Sequence, residues 1–176
     1  NCYVKHNNKI IATAIVVLFA EFVIGNDSLV EISSKNPCLS NDLMMGDSAA
    51  WAVESVNQFA QNEFLDAIET VNACFDQWGP KAGQKQKVIH RKGNSCPPVG
   101  KVSNRKKRRI EKDYLMNDVS LALWAKARSQ HELGLIDESK KTYGQCIFMS
   151  CGRAWDPKGW FWSPAQDCAD QVRSLI

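Results

Sequence analysis

FLDAIETVNACFDQWGP, Phe64 to Pro80, repeats its apolar residues at intervals of three and four: Phe64, Ala67, Ile68, Val71, Cys74, Phe75 and Trp78, with Leu65 at the margin. At 3.6 residues per turn these positions share one broad helical face. Gly79-Pro80 is expected to end the helix, because glycine relieves a helix C-terminus and proline has no N–H with which to continue one. Upstream, the polar break Gln61-Asn62 separates it from an earlier helix bearing Trp51, Val53, Val56, Phe59 and Ala60, with Asp47 as the expected cap. Residues 46–80 therefore read as a helical hairpin.

The pattern returns downstream. Asp118 is expected to cap a helix carrying Val119, Leu121, Leu123, Trp124 and Ala127. Leu133-Gly134 makes the turn, and Asp137 caps a partner helix with Ile136, Tyr143, Cys146 and Ile147 on its apolar face. Residues 118–151 form this second hairpin. The turn residues Asn62 and Gly134 lie 72 positions apart, about twice a 34-residue repeat. The fold class expected is all-α.

These hairpins resemble the tetratricopeptide (TPR) repeat family. Trp51, Phe64, Ala67, Val71, Cys74 and Gly79-Pro80 fall where its pattern asks for large, small and terminating residues. In the second hairpin Ala127, Gly134, Ile136 and Tyr143 fit, whereas Ser139 stands where alanine is usual and no proline follows. The resemblance implies an α-solenoid fragment whose first helices line a concave groove for a protein or peptide partner. Carried over, the groove positions are Ala49, Ala52, Val56 and Phe59 from one hairpin and Leu121, Trp124, Arg128 and His131 from the other. Trp124 and Arg128, four apart, would set an aromatic platform beside a permanent cation, suited to a peptide carboxylate. The alternative is a core tryptophan beside a solvated surface arginine.

Residues 81–117 depart from any repeat. Lys81 to Lys112 holds twelve of the 22 Lys and Arg residues and one acid, Glu111, along with Gly83, Gly93, Cys96-Pro97-Pro98 and Gly100. Residues 81–103 read as a long loop, followed by a basic helix from Asn104 toward Met116 capped by Ser103. The run Arg105, Lys106, Lys107, Arg108 and Arg109 is a candidate patch for nucleic acid or, in an exported protein, for anionic lipid, an acidic glycan or an acidic protein, the alternative being a solvated helix face. A net charge of +3 excludes a polycation, so that reading rests on local clustering.

Residues 152–176 begin with Trp155, Trp160, Phe161 and Trp162, four of the chain's aromatics within eight residues. Ser163-Pro164-Ala165-Gln166 has the residues of a helix start: a serine cap, proline at the first position and glutamine three after the cap. A terminal helix from Pro164 to about Ser174 is expected, with Asp167 in its first turn and Arg173 in its last. Stacked hairpins expose an apolar end, and the aromatics are placed to cap it. The alternative is that they bind carbohydrate. Trp155-Asp156-Pro157 and Gly159-Trp160-Phe161-Trp162 resemble a segment of small secreted bacterial repeat proteins, some carrying labels linked to glucan metabolism.

Lys5 and Lys9 precede the apolar run Ile10 to Ala20, so residues 1–25 read as an export signal, or alternatively as an N-terminal membrane anchor. Residues 26–45 read as an irregular arm. Setting aside Cys2 in the signal leaves six of seven cysteines, which can pair fully in 15 ways and fit a periplasmic or secreted protein. Cys74 and Cys146 also suit buried helical positions as free thiols. No CxxC pair or Cys/His grouping has zinc-ligand spacing, so no metal is expected. Asp156, Asp167 and Asp170 are as well explained by turn, helix-start and surface positions as by a catalytic carboxylate pair. His6, His90 and His131 lie in the signal, the basic loop and a helix, apart from any nucleophile motif. The sequence thus points to a non-catalytic protein-binding module without cofactor, with a glycan-binding accessory or an anionic-surface binder as alternatives.

Overall fold

The computed structural model describes residues 36–176; the expected signal and residues 26–35 of the arm lie outside the described residues. In chain order come α1 (Asp47–Ala60), α2 (Phe64–Arg91), α3 (Asn104–Lys112), α4 (Tyr114–Glu132) and α5 (Ile136–Phe148). A hairpin of β1 (Ala154–Asp156) and β2 (Trp160–Trp162) precedes α6 (Pro164–Val172) and a closing 3₁₀ turn, Arg173–Leu175. The chain is mostly helical, as the periodicity predicts. The small hairpin, formed by the tryptophan-rich segment, is an addition to the all-α expectation.

Helix α2 does not stop at Gly79-Pro80; it continues for eleven more residues, to Arg91. Its buried stripe explains why. Ala67, Val71, Cys74 and Trp78 are followed in phase by Ala82 and Gln86, all buried, and continued burial of that face offsets the hydrogen bond that Pro80 forgoes. The stop lies at Gly93, whose φ of +62° is the left-handed conformation glycine adopts freely. The long loop expected over residues 81–103 is correspondingly shorter. The basic helix also ends early, at Lys112, and α4 starts at Tyr114, so Asp118 lies inside a helix and not at its cap. Gly46 holds the cap position of α1, while Asp47 accepts the Ser40 N–H at 2.9 Å. Asp137 sits in the first turn of α5, after Leu135 at the cap position.

Three helix ends use one device. Asn62, Gly93 and Gly134 all have positive φ. The N–H of each bonds three residues back, to Phe59, His90 and His131, while the next N–H reaches five back, to Gln58, Ile89 and Gln130. This paired pattern satisfies carbonyls that a helix end would otherwise leave open. Its recurrence at Asn62 and Gly134 gives the two expected hairpin turns the same geometry.

Helix α4 is the axis of the core. Met116, Val119, Ala122, Leu123, Ala125 and Ala127 are buried around it, and it touches α1, α2, α5 and α6. A helix apolar on most sides belongs in an interior. Trp51 of α1 packs 4.9 Å from Trp78 and donates its indole N–H to the Thr70 carbonyl at 2.8 Å. Disulfides Cys38–Cys74, Cys96–Cys151 and Cys146–Cys168 tie the arm to α2, the loop after α2 to the end of α5, and α5 to α6. Cys74 and Cys146 are thus both buried and bonded. Such pairing fits an oxidising compartment. Among the described residues no helix is long and apolar enough to cross a membrane.

Candidate functional site

The tryptophan-rich segment folds back through a three-residue turn. Asp156 accepts the Lys158 N–H at 2.8 Å, and Gly159 takes a φ of +98°, the positive value such hairpin turns favour. Ala154, Trp155 and Asp156 then pair with Trp162, Phe161 and Trp160. Gly100 extends the pairing: its N–H donates to the Phe161 carbonyl at 2.7 Å, and it accepts the Phe161 N–H at 3.0 Å. The loop carrying Gly100 is held by buried Arg153, whose guanidinium donates to the Pro97 and Ser150 carbonyls, each at 2.9 Å.

Strand alternation sorts the four aromatics. Phe161 is buried, at 3% exposure, and meets Trp155 edge-on at 4.9 Å. Trp155 is 45% exposed, with Lys107 Nζ 4.2 Å above its ring. Trp160 and Trp162, on the other face, edge an open cleft of about 540 Å³. Its further lining includes Asp156, Ser163, Gln166, Asp167 and Asp170. Two indoles, three carboxylates and an amide therefore converge. Helix α6 supplies most of the polar side chains because its start is fixed as expected: Ser163 Oγ accepts the Gln166 N–H at 3.2 Å, with Pro164 at the first position.

Trp162 also joins the cleft to the expected groove residues. Its ring lies 5.4 Å from Trp124, which in turn is 5.2 Å from Phe59. The Trp124 indole N–H donates to Asp167 Oδ2 at 2.6 Å, and Arg128 reaches the same oxygen at 3.4 Å. The platform and cation that the sequence offered to a partner's carboxylate thus hold a carboxylate of the same chain. Arg128 also faces the Phe59 ring at 5.4 Å and Glu132 at 3.9 Å. His131 stands apart from this contact network, 3.1 Å from the Tyr143 hydroxyl, whose pKa burial pushes up to about 12. Of the remaining groove positions, Ala52 is buried in the core.

The basic run lies on α3. Arg105, Lys106, Arg108 and Arg109 are exposed, Lys107 is half-buried against Trp155, and Ile110 anchors the helix at 1% exposure. The sequence did not bring forward a polar cluster beside the Cys96–Cys151 disulfide. Gln86, fully buried, accepts the Cys151 N–H at 3.0 Å, which turns its amide nitrogen toward His90 Nε2 at 2.8 Å. His90 Nε2 in turn lies 2.9 Å from Ser150 Oγ. The buried in-phase position of Gln86 was the only available sign of this cluster. Among the described residues no group of three or more His, Cys, Asp or Glu side chains is placed to hold a metal ion. Compared with known proteins, the chain matches no protein-family model, no curated protein and no solved structure.

Proposed function

We propose that the protein is a non-catalytic binding module of an exported or envelope-associated assembly, built on two TPR-type helix pairs. Its ligand, a neutral glycan segment, seats in the cleft edged by Trp160 and Trp162. The observation that carries this reading is the placing of two indoles on one strand face beside Asp156, Gln166 and Asp170. Indole faces offer flat apolar area to sugar C–H groups, while carboxylates and an amide bond hydroxyls. Arg128 pairs with Asp167, and Arg173 with Asp170 at 3.2 Å, so two of the three carboxylate charges are offset. That balance favours an uncharged polyol over a cation. Titration of tryptophan fluorescence with soluble β-glucan tests the reading. Trp160→Ala should abolish the shift while helical content is retained, and an unchanged shift in that variant would refute it.

A protein partner is the second reading, favoured by the arm. Leu43 and Met44 are fully exposed apolar residues, and Leu39, Met45 and Val53 line a neighbouring cleft of about 600 Å³. Exposed apolar clusters of this kind mark contact surfaces. Cross-linking in the native cell should yield a partner that is lost on Leu43→Ser with Met44→Ser. Recovery of the same partner by that variant would exclude the arm as its docking surface.

A further inference from the structure

We infer that the basic face of α3, continued by Lys81 and Lys85 of α2, is a binding track for a linear acidic polysaccharide. The track is independent of the tryptophan cleft. Arg105, Arg108, Arg109 and Lys112 recur at three- and four-residue intervals, which places them along one side of α3. They rise about one helical turn at a time, roughly 5 Å, the scale of a single sugar unit. At its C-terminal end the stripe meets a second helix: Lys112 lines a cleft of about 280 Å³ with Lys81, Lys85, Tyr114 and one acid, Asp113. Helix α2 reaches this cleft only because it continues past Pro80.

The acids neutralise only part of this surface. Asp113 pairs with Lys85, and Glu111 lies 3.8 Å from Lys107. Arg105, Lys106, Arg108, Arg109 and Lys112 have no ion-pair partner among the described residues. A chain of anionic groups passing over them releases counterions as it binds, the general source of affinity between a basic surface and a polyanion.

Three observations select the polyanion. The single apolar residue of α3, Ile110, is turned into the core, so this helix lacks the apolar face with which an amphipathic helix inserts into a bilayer. A single-stranded nucleic acid stacks successive bases on several ring faces, whereas Lys107 already covers Trp155, Phe161 meets that ring edge-on, and Tyr114 is one isolated ring at the far end of the track. The three disulfides fit an oxidising compartment, outside the reducing interior where most nucleic acid is held, which favours a glycan as the polyanion. Tyr114, 59% exposed at the cleft, remains as one platform for a sugar ring between lysines.

Fluorescence anisotropy with a labelled polygalacturonate oligomer tests the track, using the disulfide-bonded protein. Binding should weaken with salt and fall about tenfold or more when Arg105→Ser, Arg108→Ser and Arg109→Ser are combined, with Lys81→Ser as a separate, smaller loss. These side chains are exposed, and circular dichroism checks that the variants are folded. Trp160→Ala should bind polygalacturonate as the unaltered protein does, which separates this proposal from the glycan cleft. The proposal is overturned by absence of binding at low salt or by a folded triple variant that binds unchanged. It is equally overturned by tighter binding to a single-stranded oligonucleotide of equal charge or to phosphatidylglycerol vesicles.

Discussion

At the scale of single residues, a buried glycine and a half-buried aspartate set firm expectations. Gly152 lies where the chain leaves α5 for the hairpin, and a Cβ there would stand 2.5 Å from the Ser120 Cβ and 3.1 Å from the Met116 carbonyl oxygen. One neighbour is backbone of the central helix, so relief requires α4 to move. Gly152→Ala should cost about 2–3 kcal/mol in denaturant unfolding. Asp118 is the second position. Its carboxylate accepts the Ser48 hydroxyl at 2.7 Å, and burial between α1 and α4 pushes its pKa up to about 6. Against an unfolded value near 3.9, the native state binds the extra proton between about pH 4 and 6. This group therefore lowers stability as pH rises through that window, by up to about 3 kcal/mol. Asp118→Asn should flatten the fall and leave the protein more stable than the parent above pH 6, as read by thermal unfolding across pH. A variant with an unchanged pH slope would show that Asp118 does not titrate in this range.

At the scale of elements, Pro80 is the informative case. Read locally, Gly79-Pro80 ends a helix; read with Ala82, Gln86 and Ile89 downstream, the same helical phase continues, and the structure follows the phase. Local chemistry makes the proline unfavourable, and tertiary burial overrides it. Pro80→Ala should accordingly raise stability by about 1–3 kcal/mol, measured by denaturant midpoint. The helices of both hairpins were legible from their apolar period, although their expected aspartate caps lie elsewhere, and the terminal helix was legible from its serine cap. The β hairpin was not. Trp155, Phe161 and Trp162 suit a helical cap as well as a strand, and the decisive pairing with Gly100 crosses more than 50 residues of sequence. Helix starts at Asp118 and Asp137 were misplaced by a few residues because those acids have other work: a half-buried bond to Ser48 for one and a first-turn position for the other.

At the scale of the whole molecule, the candidate sites were legible as residue types but not as constellations. Trp124 and Arg128 share a helix face by spacing alone, yet nothing local shows that Asp167, about 40 positions later, comes to lie against both. The Cys146–Cys168 bond holds α6 to α5 beside that contact. Cys146→Ser with Cys168→Ser should lower stability by about 3 kcal/mol. It should also weaken glucan binding at the tryptophan cleft more than polygalacturonate binding at α3, which α6 does not line. Equal losses at both surfaces would show that the bond supports the fold as a whole.

The same bond has a meaning in time. Helix α6 follows in synthesis the two helices it packs against, α4 and α5, and the hairpin with which it forms the cleft, and its sulfur can be bonded only under oxidising conditions. On the proposed reading, the glycan cleft is complete only once that bond has closed, so ligand capture follows oxidation.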